Sequence, residues 1–502
     1  MAEAPHRRRT TVRRLPAVAV LGAGLVLGLV LGHGGAGRAG GPPATVVGSA
    51  VAPADALSSS WFCAGATDAR KGVANARLLV TNAGHRSLQA RIRIVSDRSA
   101  ARTLTVPVGA AASVLVPEAL AGGAPWVGAT VQLDGGQASV EQETSGPLGP
   151  TVEACATTSS RTWYFAAGQT LVNATSTISL LNPDAAPAIV DLSFTTDQGE
   201  EQPGGFQGLI VPPGGLVEVP LGSHLRRRRF IATTVRATAG AVVAWKTDVV
   251  EQPAKGAVLL GTAGARSPLA DPASPYPSVT DVLGAPSPAT RWWWPDGATG
   301  AGTVEQYEVY NPGAVTARVA LSVALDQGSA EPFTLTVGPG QVATLPTSAA
   351  ARIPAGVAYA ASLRSLNGVP VVAERTVDAA KPAAPGSAEL LGATEPAHRW
   401  LVGAPRVGWD HRLVLTVAGT SGKPAVVTVD QLVGGRLVAV QGIGAVHIGP
   451  RAPLVIDFGR LPAPPTGPIV VQATEGVVVA RQLLGTERLG AETASLGVPL
   501  PG

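Results

Sequence analysis

No His-Glu-x-x-His pair, Gly-x-Ser-x-Gly turn or Walker loop occurs in this chain, nor a dinucleotide-binding glycine turn between a strand and a helix. The most legible routes to zinc hydrolysis, acyl transfer, phosphoryl transfer and hydride transfer are therefore missing. The seven histidines, at 6, 33, 85, 224, 398, 411 and 447, have no metal-ligand spacing. No cofactor or metal is expected, and no catalytic residue is nominated. Outside residues 15–32 no apolar stripe recurs every 3.6 positions, which excludes a helical fold.

Charge is also scarce, at 14% of 502 residues, and the net +4 is an end effect. Residues 1–32 hold five arginines and one acid, Glu3, so the remaining 33 basic and 33 acidic residues cancel. A neutral body offers no clustered positive face, and nucleic acid is not expected as a partner.

What is present begins with an Arg-rich tail at 1–14, followed by Leu15–Gly32, 18 residues without a charge. A run of that length crosses a bilayer, and flanking arginines keep their side in the cytoplasm. The expectation is a single-pass signal-anchor at 15–32 in the cell membrane, with the body extracytoplasmic. Secretion after cleavage is the alternative, because small residues follow the run. Residues 33–60, rich in Gly, Ala, Pro and Ser, read as a flexible stalk.

The body repeats itself. Leu180–Gly199, Tyr310–Gly328, Thr81–Asp97 and the weaker Val417–Asp430 each read as a strand end, a turn and an alternating strand. A tryptophan-led segment precedes each, at Trp61-Phe-Cys63, Trp163-Tyr-Phe165, Trp292-Trp-Trp294 and Trp400-Leu-Val402. A Pro-Gly hairpin, a second hairpin and a short closing strand follow. The closing strands are placed at Val152–Cys155, Ala257–Leu260, Ala388–Leu391 and Ala491–Ala494.

Many short strands spaced by turns indicate an all-β fold of four tandem immunoglobulin-like β-sandwich repeats, each about 100 residues long. Their expected bounds are 61–158, 162–264, 291–394 and 399–500, with a Pro-rich linker at 265–290. The recurring Asn82, Asn182 and Asn311 read as turn residues.

Cys63 and Cys155 fall at apolar positions of the first and last strands of the first repeat, which predicts a disulfide between them. Two buried thiols are the alternative. Trp292–Trp294 with Trp409 could present a platform for sugar rings, with Trp293 and Trp409 as its binding residues; a core role is the competing reading. Arg226, Arg227, Arg228 and Arg229 form a run that could meet an anionic polymer or merely be solvated. Glu141 and Glu143 lie on one face of a strand and read as a polar outer face.

The order of tail, span, stalk and units with Trp61-Phe-Cys63, Asn182-Pro and Val211-Pro-Pro-Gly214 resembles an uncharacterised actinobacterial exported, membrane-anchored family, a domain of unknown function. The resemblance implies a cell-envelope location and no activity. The expectation is a non-enzymatic envelope scaffold that binds a partner protein or wall polysaccharide. A carbohydrate-binding accessory protein is the alternative, and an envelope enzyme ranks third.

Overall fold

The computed structural model describes residues 48–67, 75–96, 99–120, 124–252, 255, 258–259, 272–273, 276–300, 303–325, 328–348, 350–379, 386–404, 412–484 and 492–501. The anchor at 15–32 and Trp409 lie outside the described residues. Among these residues no helix is long and apolar enough to cross a membrane. The structure is all-β, built from several antiparallel sheets.

The first module sets the pattern. Its eight strands are Ser59–Thr67, Asn75–Asn82, Leu88–Val95, Arg102–Val108, Ala112–Pro117, Trp126–Leu133, Ala138–Gly146 and Gly149–Ala154. One sheet runs first–sixth–third–fourth and the other fifth–second–seventh–eighth. Alternation decides which face is buried: Leu88, Ala90, Ile92 and Ile94 point into the core, while Gln89 and Arg91 face out. Both sheets share that core, where Trp61 and Ile92 meet Leu78 and Val140.

The same order recurs in three further modules. In the fourth, the sixth and seventh strands fuse into one 16-residue strand, Ile469–Leu484. Its first half pairs with Ala425–Val433 and Ala397–Val402, and its second half with Arg412–Gly419 and Glu492–Leu496. The pairing departs from immunoglobulin connectivity: the first strand lies beside the sixth, and the seventh beside the second, where an immunoglobulin domain places its last and first strands.

Each recurring Asn does more than turn the chain. Buried Asn182 accepts from Asp184 N (2.9 Å) and donates to Ala186 O (2.7 Å) and Val211 O (3.1 Å), bolting the turn to the neighbouring strand. Asn82 and Asn311 make the corresponding bonds. The recurring tryptophans 61, 163, 292 and 400 are all core residues, at most 2% exposed. Indole N–H groups of the last three donate to Val242, Val371 and Val477 carbonyls.

Two expected boundaries are corrected. The eighth strand of the second module is Ser278–Leu283, inside the stretch 265–290 expected to be a linker; it pairs with the seventh strand, Val243–Val250. The prolines before it end at Pro277 and those after it begin at Pro286, outside the paired residues on both sides, so they do not interrupt the ladder. Val258–Leu259, in the segment expected to close the module, instead pairs in parallel with Pro272–Ala273.

The expected stalk, 33–60, is also shortened. Val51 is buried and its N–H bonds Pro499 O at 3.0 Å, Gln137 N bonds Ala52 O at 2.9 Å, and the first strand begins at Ser59. Its apolar Val51 finds a core to enter, so this end of the Gly- and Pro-rich run is fixed.

The modules close on themselves. Their eighth strands touch in sequence, first against second, second against third, third against fourth and fourth against first. Leu401, Leu432, Val470, Val498 and Leu500 of the fourth module enter the core of the first.

Candidate functional site

The seventh strands carry the buried chemistry. At one register position they hold Glu141, Trp245, Glu374 and Ala480, opposite Ala154, Leu283, Leu391 and Leu496, and one residue later Gln142, Lys246, Arg375 and Arg481. These sheets are covered on both faces, because the first strand of the preceding module packs on what would be their outer side. Glu141 and Glu143, expected on a polar outer face, are 1% and 3% exposed. Packing of the preceding module in the ring, the fourth, over this face, which a single repeat does not reveal, is the reason.

Each junction has its own polar bridge. Between the first and second modules, Asp281 accepts from Thr247 at 2.5 Å and from Thr144 and Thr151 across the seam. Between the second and third, Lys246 Nζ donates to Ala167 O (2.7 Å) and pairs with Glu374 (3.1 Å) and Glu389 (2.8 Å). Glu374 also accepts from the Ala166 and Ala167 amides at 2.9 and 3.2 Å. Between the third and fourth, Gln482 donates to Asp296 O at 3.3 Å, and the Asp296 carboxylate is held at 2.5 Å by Arg375 of its own module. Arg481 reaches Glu141 at 2.9 Å and closes the circuit. Buried pairs are stable only with such geometry, and losing one partner strands the other.

The second junction also forms a cavity of about 320 Å³ that is open to solvent on one side. Asp248, Glu308, Asp378 and Glu389 line it, with Arg229 as a cation of its lining. Burial, followed by repulsion from Glu389, holds Asp248 well above the carboxylate range. Burial and then Glu374 do the same to Glu308, and burial pushes Asp378 up to about 6. Burial alone would lower Lys246, but Glu374, Glu389 and Asp248 outweigh it and raise its pKa. Among the described residues no group of three His, Cys, Asp or Glu side chains is placed to hold a metal ion.

Cys63 and Cys155 are joined by a disulfide, with 92 residues of sequence separation. Hydrogen bonding across the module corner pairs Phe62 with Ala156, Tyr164 with Ala285 and Trp293 with Ala393. Cys155 therefore corresponds to Gly284 and Gly392, one residue on from the Leu391 that sequence alignment matched to it. In those modules an aromatic ring replaces the bond: a Cβ on Gly284 would lie 2.7 Å from Phe165, and one on Gly392 2.7 Å from Trp294.

The other nominated residues are not brought together. Trp293 is half-buried against the core of the fourth module. Arg228 forms a two-pronged pair with Glu201 at 2.6 and 2.8 Å. Arg226 and Arg227 are exposed, and Arg229 turns toward the cavity. Sequence reasoning missed Lys246, Glu374, Asp248 and Glu389. Charges at alternate places in the otherwise apolar Val242–Val250 were the available signal.

One protein-family model matches residues 136–451, more than half of the chain. The chain belongs to the family of unknown function DUF5719. The DUF5719 match opens just before the seventh strand of the first module and ends in the fourth, so it contains the carboxylate cavity whole. No curated protein matches. Partial similarity extends to the crystal structure of Thermotoga maritima 1070, with 20% identity, 21% of this chain, 94% of that one and a TM-score of 0.20. It extends also to a Streptomyces avermitilis alpha-L-rhamnosidase complexed with L-rhamnose, with 10% identity, 87% and 56% coverage and a TM-score of 0.12. Scores this low carry no argument.

Proposed function

We propose that this DUF5719 chain is a non-enzymatic, membrane-anchored cell-envelope protein. In this reading four β-sandwich repeats, immunoglobulin-like in size and layering but not in strand order, form a rigid extracytoplasmic scaffold for a partner protein or wall polymer. The observation that carries it is where the buried ionisable groups go: Lys246–Glu374 and Arg481–Glu141 each bridge one module to the next. Groups committed to holding modules in register serve rigidity, and loops mounted on a rigid frame are where binding concentrates.

The Arg-rich tail and the apolar span at 15–32 support a single crossing with the tail in the cytoplasm. The Cys63–Cys155 bond supports an oxidising compartment outside it. The carbohydrate-accessory reading has less behind it, since Trp293 packs against its neighbour's core.

Photo-crosslinking in intact cells from Leu57, which is 92% exposed, tests the proposal. A discrete protein or polymer attached to the body supports it. Release of soluble fragments when the purified body is incubated with wall preparations would replace it with an enzyme.

A further inference from the structure

We propose that the cavity between the second and third modules is a binding site for a small organic cation bearing a primary ammonium or guanidinium group. The cavity, about 320 Å³, has the volume of a small-ligand site. Four carboxylates from two modules line it, Asp248 from the second and Glu308, Asp378 and Glu389 from the third.

Three of the four have local partners. Glu308 accepts from Thr376 at 3.2 Å, Asp378 accepts from Ser387, and Glu389 lies 2.8 Å from Lys246. Asp248 differs. It is 3% exposed, yet neither of its oxygens has a hydrogen bond of normal geometry among the described residues. Its nearest donors are Lys246 Nζ, at 3.9 Å and committed to Glu374 and Glu389, and the hydroxyl of Ser176. A buried carboxylate left in that state costs free energy unless something donates to it.

The chemistry of the walls selects the ligand. Four carboxyl groups against one lining cation, the exposed Arg229, disfavour an anion, and a neutral molecule would not stabilise their ionised forms. A bare metal ion would need three or more ligands converging on one point, an arrangement absent among the described residues. A cation with several N–H donors on a short carbon stem fits both the spread of the carboxylates and the apolar side chains of Leu171, Val250 and Val304 that complete the walls. Burial holds Asp248, Glu308 and Asp378 above the carboxylate range, and a cation bound beside them would favour their ionised forms. Binding would ionise Asp248 and Glu308 and release protons. The site does not depend on the scaffold reading.

Calorimetric titration of the purified full chain at pH 8 with cadaverine and with methylguanidine tests this. Tetramethylammonium, a cation without N–H donors, and calcium serve as comparisons. Saturable binding of cadaverine, methylguanidine or both is expected, with proton release and at least tenfold weakening at pH 5. Tetramethylammonium is expected to show at least tenfold weaker binding. Asp248→Asn should weaken binding tenfold or more. Val304→Trp, at the 40% exposed rim, should abolish it without touching a carboxylate. Glu331→Gln, on an exposed side chain outside the lining of the cavity, should leave it unchanged. Absence of saturable binding by both N–H donors, equal binding of tetramethylammonium, calcium binding in their place, or full affinity in a folded Asp248→Asn protein would each overturn the proposal.

Discussion

Replacing both Cys63 and Cys155 by alanine should cost about 4 to 5 kcal/mol of stability. The bond closes a loop with 92 residues of sequence separation, and the chain-entropy relation assigns that length about 4.6 kcal/mol at 25 °C. Two neighbouring modules suggest a separate route to rescue. At the same corner they place Phe165 over Gly284 and Trp294 over Gly392, with both rings buried.

The double substitution Cys63→Phe with Cys155→Gly should thus recover roughly 2 to 3 kcal/mol, the yield of burying a phenylalanine side chain. Cys63→Phe with Cys155→Ala should sit roughly 1 to 3 kcal/mol below it, because a Cβ at that place presses on the ring. Urea unfolding followed by tryptophan fluorescence reads all three, with the slope checked for a change in cooperativity. The reasoning is refuted if Phe/Gly is no more stable than Ala/Ala, or if Phe/Ala equals Phe/Gly.

Three further outcomes are expected. Burial pushes Glu143 up to about 7, above its unfolded value, so its contribution is present below about pH 4.5 and is lost as pH rises through 7. Glu143→Gln should flatten that decline, worth about 3 kcal/mol, in melting curves recorded from pH 4 to 8. Arg481→Met strands the buried Glu141 and should cost about 3 to 5 kcal/mol, most of it regained in Arg481→Met/Glu141→Leu; a double-mutant cycle showing no coupling would refute the bridge. Asn182→Ala removes three hydrogen bonds and should lower stability by about 2 to 4 kcal/mol in urea unfolding, against less than 1 for the neighbouring, exposed Ala185→Gly.

Local pattern carried much of the fold. Alternation along Leu88–Val95, the recurring Asn turns and the tryptophan-led first strands are all features of a single strand or turn, and each is visible within ten residues. The second module's last strand was not legible, because Val258–Leu259 offers the expected apolar pair at the expected distance while Ser278–Leu283 hides behind Pro277. The buried charges were unreadable for another reason. Glu141 and Glu143 alternate as an exposed strand face does, and only the module packed over them makes that face interior. Lys246 and Asp248 are paired or unpaired by groups more than a hundred residues away in Glu374 and Glu389, a relation that no local window contains.

The bond from Val51 N to Pro499 O has a consequence for biosynthesis. Residues that precede the first strand are held by Pro499, of the strand Val498–Pro499, so this seam stays open until residue 499 has emerged. A chain stalled near residue 490 would keep Leu78, Val80 and their neighbours without the cover of Val498 and Leu500. Loss of Val498 and Leu500 should therefore loosen the first module.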